Sequence, residues 1–467
     1  MTSRLNRRRF LQTGTAAGLG YLFTGPAFSV AKAFGANDRL RFAAIGTGGK
    51  GRSDIEQAAG FGEVVAICDV DESAKHLGWA ATKWPQARKV FDFRKLFEAR
   101  ALANIDAFTI STPDHTHALP AAMAIRAKKH VYVQKPLTRT VFEAHHLRKL
   151  AAAHGVCTQM GNQGTAAHGL RRAVELVQAG EIGPVQEVHV WTNRPIWPQA
   201  PQVTDQKPPK PAPKPKGVHW DEFLGPAADR PYTAGIHPFA WRGYWDFGTG
   251  AIGDMACHTA NMAFMALKLG HPDHAAAEAG DVNPLTCPSY AHVTLKFPAR
   301  GDMPPVTLHW YEGKKDGQKV LPPPELVAKA LKVAGRDKLV ESGSILVGAK
   351  GIAYSPDDYG SDVYFETGVR ANDSTKPEKL PANGGGDTGQ KKEWVEAIKA
   401  GDPKKALSNF DYASMLTAAF LLGNVAIRTG KAFAFDGETL TASGSPEAAQ
   451  YIKAEYRKGW DLLEAGA

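Results

Sequence analysis

The strongest constraint on the fold of this 467-residue chain lies near its start, where a short apolar segment runs into a glycine-rich turn. Residues 39–45 predict a buried strand. The turn after it has the spacing GxGxxG, with glycines at Gly46, Gly48, Gly49 and Gly51. Glycine permits the tight turn, lets the backbone approach a pyrophosphate and lets the following helix pack closely. Because glycine-rich turns are common, the segments that follow have to indicate whether this turn binds a pyrophosphate.

A second apolar strand, at 63–68, ends in an acidic residue. Asp69 follows that strand, 23 residues after Gly46, near the separation of about 20 residues typical of a ribose-binding carboxylate. A carboxylate there accepts hydrogen bonds from ribose hydroxyls and repels a 2′-phosphate, so NAD is favoured over NADP. A solvated acid at a strand end is the alternative interpretation of Asp69.

Strand-like and helix-like segments continue to alternate as far as residue 160. They lie at 106–110, 117–128, 130–133, 141–153 and 156–160. This βαβ alternation predicts an α/β fold with a parallel, doubly wound sheet. Thr112 and Lys135 each follow a strand. We therefore expect both at the carboxyl edge of the sheet, where ligands bind in such folds.

Four motifs follow one another along the chain: GxGxxG at 46–51, TPxxxH at 112–117, Lys135-Pro136 after a strand, and DxxxH at 254–258. Together they resemble the glucose-fructose oxidoreductase and inositol dehydrogenase family (Gfo/Idh/MocA), with similarity over about 39–436. Two positions depart from the family pattern, since Gln134 replaces a glutamate and Asp114 an asparagine. The lost glutamate charge is expected to alter the proton affinity of Lys135.

The resemblance implies a Rossmann NAD-binding domain at 39–160 and a C-terminal α/β domain at 161–467 with an open, mostly antiparallel sheet. The second domain would bind substrate and form oligomer contacts, so a homodimer or homotetramer is expected. The sequence permits this arrangement, because alternating runs predict strands and longer apolar patterns predict helices. The strands are predicted at 186–191 and 292–297, and the helices at 389–400 and 411–428.

The same resemblance assigns site residues. The cofactor-binding residues would be Gly46, Gly48, Gly49, Gly51, Asp69, Thr112, Pro113, His117, Lys135 and Gln163. The catalytic residues would be Lys135, Asp254 and His258. Asp254 and His258 lie one helical turn apart on one face.

The implied roles follow ordinary acid–base chemistry. His258 would act as the general base that takes the hydroxyl proton while hydride leaves the same carbon for NAD. Asp254 would orient the substrate hydroxyl or the histidine. Lys135 would stabilise negative charge developing on the substrate oxygen. A structural histidine is the alternative interpretation of His258.

Aromatic residues are concentrated between Trp191 and Trp245. Flat apolar rings beside hydrogen-bonding groups suit sugar rings, so Trp241, Arg242 and Trp245 are predicted to contact substrate with Lys135, Asp254 and His258. Core or interface packing is the alternative. The Pro- and Lys-rich stretch 202–216 predicts an extended surface loop. His115 and His117 lack further ligands at suitable spacing, so no metal site is predicted.

The first 33 residues predict an export signal. Arg7, Arg8, Arg9, Phe10 and Leu11 resemble the twin-arginine motif, and a small-x-small cleavage site follows at 31–33. The expected location is therefore the periplasm, with no stable membrane insertion after cleavage; an uncleaved anchor is the alternative. Of the nine excess positive charges, five lie in 1–33 and three in 202–216. Because the folded body is left nearly neutral, nucleic-acid binding is excluded.

Three functions remain open. The first is an exported NAD-dependent oxidoreductase that acts on a sugar, cyclitol or glycoside hydroxyl and holds its cofactor tightly. The second is a redox-neutral glycosidase that oxidises C3, eliminates the glycosidic bond and returns the hydride. The third is a sugar-binding protein without catalysis, which the intact Lys135, Asp254 and His258 argue against.

Overall fold

A computed structural model of the protein describes residues 39–196, 210–372 and 377–461. The signal peptide expected at 1–33 lies outside these ranges, and so does the first part of the loop expected at 202–216.

The first part of the chain forms six strands, which pair in one parallel sheet. They are β1 (Leu40–Ile45), β2 (Gly62–Cys68), β3 (Arg88–Val90), β4 (Ala107–Ile110), β5 (His130–Val133) and β6 (Thr158–Met160). Their order in space is β3-β2-β1-β4-β5-β6. The order reverses between β1 and β4, where open α/β sheets bind ligands. The predicted Rossmann topology is confirmed.

The helices of this part connect successive strands. They are α1 (Lys50–Ala59), α2 (Leu77–Lys83), α3 (Ala99–Leu102), α4 (Ala118–Arg126) and α5 (Val141–His154). The start of α5 is fixed by a capping box, in which Thr140 Oγ1 accepts from the backbone nitrogen of Glu143 and the Glu143 carboxylate accepts from that of Thr140. Strands β4 and β5 are buried throughout. Their unbroken apolar sequences follow from helices covering both faces of the sheet.

The second part of the chain forms an eleven-stranded sheet. Its strands are β7 (Val185–Trp191), β8 (His274–Gly280), β9 (Tyr290–Phe297), β10 (Val306–Lys315), β11 (Gln318–Lys319), β12 (Gly343–Gly348), β13 (Gly351–Ser355), β14 (Val363–Phe365), β15 (Arg370–Ala371), β16 (Phe433–Asp436) and β17 (Thr441–Ser443). Only β7 and β10 pair in parallel among them, while the other pairs are antiparallel. The predicted mostly antiparallel second sheet is confirmed.

The remaining helices are α6 (His168–Gln178), α7 (Trp220–Leu224), α8 (Gly250–Thr259), α9 (Asn261–Ala266), α10 (Pro324–Ala334), α11 (Gly386–Ala400), α12 (Phe410–Thr429) and α13 (Ala449–Ile452). Helix α12 is long and apolar enough to cross a membrane, but 83% of its apolar window is buried inside the protein. It packs between α5 and the strands β8 and β9. It is therefore the core helix that joins the two sheets.

Helix α11 returns to the first sheet, although the sequence assigned all of 161–467 to the second domain. Its Trp394 and Ile398 share one buried cluster with Leu40 and Phe42 of β1. The rings of Phe42 and Trp394 lie 5.9 Å apart. The apolar face of α11 is buried against the Rossmann sheet, so this helix structurally completes the first half of the molecule.

Candidate active site

A cavity of about 460 Å³ lies at the carboxyl edge of the first sheet, between β1, β2, β4 and β5 on one side and α8 on the other. Most of the predicted site residues line it. These are Gly46, Gly48, Gly49, Asp69, Thr112, Pro113, Lys135, Gln163, Trp241, Arg242, Asp254 and His258. Residues distant in sequence therefore meet in one cavity.

The glycine-rich turn leaves backbone open to this cavity. Gly49 has a φ of 51°, and a Cβ at this position would meet no atom within 4 Å. Helix α1 begins at the next residue, and a helix amino end favours a bound anion. Gly51 lies behind the cavity wall, where a Cβ would stand 2.2 Å from the carbonyl oxygen of Gly46. Its glycine is thus required for close packing of α1 against the turn.

Four buried polar atoms of cavity-lining residues have no hydrogen-bond partner within the described part of the chain. They are Thr112 Oγ1, Gln163 Oε1, His258 Nδ1 and Asp358 Oδ1. A buried polar group without a partner costs about 1–3 kcal/mol, a penalty that hydrogen bonds to a bound ligand would relieve. Together with the open glycine turn, these atoms fit a dinucleotide.

Asp69 lies at the end of β2, beside the glycine turn. Its Oδ2 accepts hydrogen bonds from the backbone nitrogens of Thr47, at 2.7 Å, and Gly48, at 3.2 Å. The side chain is nevertheless on the cavity wall. A negative charge fixed here disfavours a 2′-phosphate, in agreement with NAD as the cofactor.

Two of the three predicted catalytic residues, Lys135 and Asp254, are in direct contact. Lys135 Nζ donates to Asp254 Oδ1 at 2.6 Å and to its backbone oxygen at 2.8 Å. Two guanidiniums approach the same carboxylate, with Nε of Arg242 at 3.4 Å and Nε of Arg194 at 3.8 Å. Asp254 therefore holds three cations together, and we call this part of the cavity, which contains the predicted catalytic residues, the catalytic end.

His258 lies one turn further along α8 and is 4% exposed. Its ring and that of Tyr359 meet edge to face, with the ring centroids 5.1 Å apart. Burial, and then the charge of Lys135, lowers the pKa of His258 well below 6.5. The imidazole is therefore neutral at pH 7 and has a lone pair available for a proton.

Asp114 holds Arg242 of the cavity wall in place. Its carboxylate accepts from Arg242 Nη1 at 3.1 Å, from Thr249 Oγ1 at 2.7 Å and from the Thr249 backbone nitrogen at 3.1 Å. An asparagine, as in the family pattern, would lack the charge that holds Arg242. The negative charge that Asp114 adds to the family pattern is thus neutralised by the guanidinium of Arg242.

The departure at Gln134 is also compensated, by a carboxylate from another element. Gln134 Nε2 donates to Asp54 Oδ2 at 2.8 Å, and Ser111 Oγ donates to the same oxygen at 2.9 Å. Lys391 Nζ of α11 donates to Asp54 Oδ1 at 2.8 Å, and neither charged side chain is exposed. Burial alone would raise the pKa of Asp54, but the charges of Lys391 and Lys50 outweigh it and lower that pKa. A carboxylate is thus retained behind Gln134, although it does not come from the Lys-Pro motif.

Two predicted contacts are corrected by the structure. His117 does not line the cavity, because its ring nitrogens lie 2.8 Å from the backbone oxygens of Pro136 and Thr112. It joins two cofactor-side loops from behind. Trp245 also lies outside the cavity, since its indole donates to the backbone oxygen of Asn283 and packs on Arg428.

Residues 217–243 cover the end of the cavity beside Asp69, and we call them the roof segment. His237 Nε2 lies 2.9 Å from Asp71 Oδ2, and His219 Nε2 lies 2.6 Å from Glu72 Oε1. Phe239 lines the cavity and yet is 71% exposed. The roof segment is thus tied to the loop after β2 by two side-chain pairs.

Sequence reasoning missed Asp358 and Tyr359, which line the catalytic end of the cavity. They lie in a short loop between β13 and β14, and no motif marks this loop in the sequence. Their involvement depends on how the second sheet faces the first. A local pattern could not have revealed it.

The fold and this site define a dinucleotide-binding oxidoreductase architecture. A family model described as "Oxidoreductase family, NAD-binding Rossmann fold" matches residues 40–162. A second, "Oxidoreductase family, C-terminal alpha/beta domain", matches residues 172–297. Together they cover more than half of the chain. The chain belongs to the Gfo/Idh/MocA oxidoreductase family, and its cofactor is NAD.

Two curated relatives illustrate the range of this family. A glycosyl hydrolase family 109 protein from Solibacter usitatus is 29% identical over 174 residues, or 34% of this chain and 39% of the relative. An inositol 2-dehydrogenase/D-chiro-inositol 3-dehydrogenase from Halalkalibacterium halodurans is 34% identical over 121 residues, or 25% of this chain and 33% of the relative. The chain thus matches less than two-fifths of the length of either.

Solved structures extend the likeness to the whole fold. The WlbA dehydrogenase from Bordetella pertussis, in complex with NADH and UDP-GlcNAcA, matches with a TM-score of 0.57 at 16% identity. The match covers 85% of this chain and 99% of that one. At this identity the likeness concerns the fold alone.

Proposed function

We propose that this protein is an NAD-dependent oxidoreductase that acts on a CH–OH group of a sugar, cyclitol or glycoside. The observation that carries the proposal is the convergence of Lys135, Asp254 and His258 in the cavity that holds the glycine turn. Bound NAD supplies the acceptor for the two electrons and the hydrogen that leave the substrate carbon. The glycine turn, Asp69, Thr112 and Gln163 would hold it.

The chain's own residues supply the proton chemistry. The neutral imidazole of His258 accepts the proton of the substrate hydroxyl. Lys135 donates a hydrogen bond to the substrate oxygen and stabilises the negative charge that develops there. Asp254 fixes the Lys135 ammonium, which it contacts at 2.6 Å, in the orientation required.

The cofactor is proposed to stay bound between turnovers. The contacts of the roof segment support this, because His237 and His219 anchor it to Asp71 and Glu72 at the Asp69 end of the cavity. Movement of the roof segment away from this end of the cavity would require both pairs to separate. A retained cofactor also suits export through the twin-arginine route to the periplasm, which the motif at Arg7–Leu11 supports. Homodimer or homotetramer assembly is part of the same proposal, by analogy with the family.

A redox-neutral glycosidase is the second candidate, favoured by the 29% identity to the family 109 glycosyl hydrolase. It would use the same residues and the same retained cofactor. The two candidates differ in outcome, since only the glycosidase releases an aglycone without net change in the cofactor.

The first experiment is to denature the purified protein and identify any released dinucleotide by mass spectrometry. NAD near one per chain supports the proposal, whereas its absence contradicts cofactor retention. The NAD-loaded protein is then mixed with sugars, inositols and aryl glycosides without added NAD. Formation of reduced nicotinamide indicates the oxidoreductase, and aglycone release indicates the glycosidase.

The His258→Ala variant tests the site itself. We expect turnover to fall by at least about 100-fold, because general-base catalysis typically contributes that much, while bound NAD is unchanged. The His154→Ala variant, at the end of α5 and outside the cavity, serves as the control and should keep full activity. Full activity in His258→Ala would remove His258 from the mechanism.

A further inference from the structure

The loop at 356–361, between β13 and β14, is held in one conformation by its own side chains. We call it the Asp358 loop. Asp357 Oδ1 accepts from the backbone nitrogens of Tyr359, at 2.6 Å, and Ser361, at 3.1 Å. Asp357 Oδ2 accepts from the backbone nitrogen of Asp362 at 3.1 Å. Three backbone hydrogen bonds to one carboxylate make the Asp358 loop a rigid part of the scaffold.

The backbone of this loop packs directly against two glycines in the segment after β6. A Cβ at Gly164 would stand 2.9 Å from the carbonyl oxygen of Tyr359, and a Cβ at Gly169 would stand 1.8 Å from that of Ser361. Gly164 follows Gln163, which lines the cavity. The Asp358 loop is therefore docked directly beside the predicted cofactor contact.

Docking in this way brings two side chains to the catalytic end of the cavity. Tyr359 meets the ring of His258, and Asp358 lies on the cavity wall near Arg194. Asp358 Oδ1 is buried and has no hydrogen-bond partner within the described ranges. Burial raises the pKa of Asp358, although a hydrogen bond from Ser342 and the charge of Arg194 oppose that shift. The Asp358 carboxylate thus has an acceptor position that protein groups leave unused.

The charges at this end of the cavity balance. Lys135, Arg194 and Arg242 are cations that each lie within 4 Å of Asp254. A fourth cation, Lys50, is paired with Asp387 at 2.5 Å. Asp254, Asp358 and Asp114 offset the first three cations, Asp114 through its contact with Arg242. A substrate carboxylate or phosphate would therefore meet no unbalanced cation, whereas hydroxyl groups can donate to the carboxylates.

From these contacts we propose that Asp358 is a specificity-determining residue that accepts a hydrogen bond from a ring hydroxyl of an uncharged polyol. This inference rests on the proposed function. Since Tyr359, the next residue, meets the ring of His258, Asp358 lies at the same end of the cavity and would accept from another hydroxyl of the ring that is oxidised. An anionic analogue, such as a uronate, is disfavoured by the same carboxylate.

The test uses the NAD-loaded protein and the variants Asp358→Asn and Asp358→Ala. The probes are myo-inositol, glucose and glucuronate, titrated by calorimetry, with reduction of the bound cofactor followed in parallel. The matched control is Asp362→Asn, because Asp362 is a nearby carboxylate that pairs with Arg370 and does not line the cavity.

We expect Asp358→Ala to weaken binding of the neutral probes by about 10- to 100-fold, the usual effect of losing a hydrogen bond to a charged group. Asp358→Asn keeps a neutral acceptor oxygen and should weaken it by about 3- to 10-fold. The effect should appear in KM and Kd, with kcat changed by less than about threefold. The preference for glucose over glucuronate should shrink about tenfold in Asp358→Asn, and Asp362→Asn should match the natural protein.

Unchanged Kd values in both variants would overturn the inference while leaving the proposed function intact. Tighter binding of glucuronate than of glucose by the natural protein would also overturn it. If none of the three probes binds or reduces the cofactor, the proposed function fails and the inference with it. Melting temperatures equal to that of the natural protein show that a weakened variant is folded.

Discussion

At the scale of single residues, the protein carries a buried carboxyl group that the proposed mechanism does not use. Glu312 of β10 is 1% exposed, and its Oε2 accepts from Trp310 Nε1 at 2.7 Å. Burial raises its pKa from 4.5 to about 8. No salt bridge to Glu312 is found in the described residues. The folded protein therefore prefers this group protonated.

Glu312→Gln is expected to stabilise the protein at alkaline pH. A pKa higher in the folded than in the unfolded state contributes stability below about pH 4.5, and this is lost as pH rises toward 8. The glutamine keeps the hydrogen bond from Trp310 without ionising. The free energy of unfolding of the glutamine variant should exceed that of the natural protein by on the order of 4 kcal/mol at pH 8 and by less than about 1 kcal/mol at pH 5.

Urea unfolding at both pH values measures this difference. Glu278→Gln is the matched control, since Glu278 is an exposed carboxylate that pairs with Lys315 on the same sheet. A difference between Glu312→Gln and the natural protein that does not grow with pH would contradict the assigned ionisation.

At the scale of elements, one ion pair joins α11 to the helix that follows the glycine turn. Lys391 of α11 and Asp54 of α1 are both fully buried, and the Lys391 ammonium also lies 3.9 Å from the ring centroid of Tyr132. The Asp54 carboxylate also accepts hydrogen bonds from Ser111 and Gln134, which follow the ends of β4 and β5. One carboxylate thereby links α1 and α11 with the ends of two strands.

Lys391→Met should destabilise the protein strongly, because it leaves Asp54 buried with less compensation. The expected loss is about 3 kcal/mol, at the low end of such cases because Lys50 remains 3.5 Å away. The double variant Lys391→Met/Asp54→Asn should recover part of this loss. NAD affinity should fall in the single variant, since Ser111 and Gln134 line the cavity.

The neighbouring residue on α11 provides the control. Lys392 is half-exposed and pairs loosely with Glu396, so Lys392→Met should change stability by less than about 0.5 kcal/mol. Denaturant midpoints and NAD titrations of all four proteins make the comparison. Equal midpoints for Lys391→Met and Lys392→Met would show that the buried pair does not hold α11 in place.

At the scale of the whole molecule, buried histidines make the fold sensitive to acid. Burial lowers the pKa of His115 to about 3 and that of His130 to about 4. Their contribution to stability is complete above pH 6.5 and is lost as pH falls from there toward the folded pKa values. Each histidine costs up to about 1.4 kcal/mol per pH unit in that range.

We expect the free energy of unfolding to fall steeply between pH 6.5 and 4.5. The His115→Gln variant should reduce that slope by about 1.4 kcal/mol per pH unit, since glutamine can still donate to the backbone oxygen of Phe223, as His115 does at 2.8 Å. Exchanging His154 of α5 for glutamine in the same way should leave the slope unchanged. A slope unaffected by His115→Gln would mean that His115 is not neutral in the folded state.

The sequence predicted those features that depend on short-range patterns. The strands at 130–133 and 185–191, the glycine turn and the DxxxH helix appear in the structure within a few residues of the expected bounds. Such patterns reflect local backbone geometry and the periodicity of burial. Most site residues were found because they lie in or beside motifs of this kind.

The contacts of individual side chains were less predictable. His117 and Trp245 carry side chains suited to a ligand, and yet each finds its partners within the protein. Lys391 and Asp358 carry no motif and lie more than 300 residues after the glycine turn. Their positions depend on how α11 and the second sheet pack, which no local pattern encodes.

The sequence by itself determined the Rossmann sheet, the glycine turn, the place of Asp69 at a strand end and that of Asp254 and His258 on one helical face, because periodicity and spacing specify each of them locally. Only the tertiary structure decided which groups surround that pair. The Asp54–Lys391 ion pair, the roof segment and the Asp358 loop all arise where elements distant in sequence bury one another. Burial and charge pairing, which act through space, set the chemistry of the site.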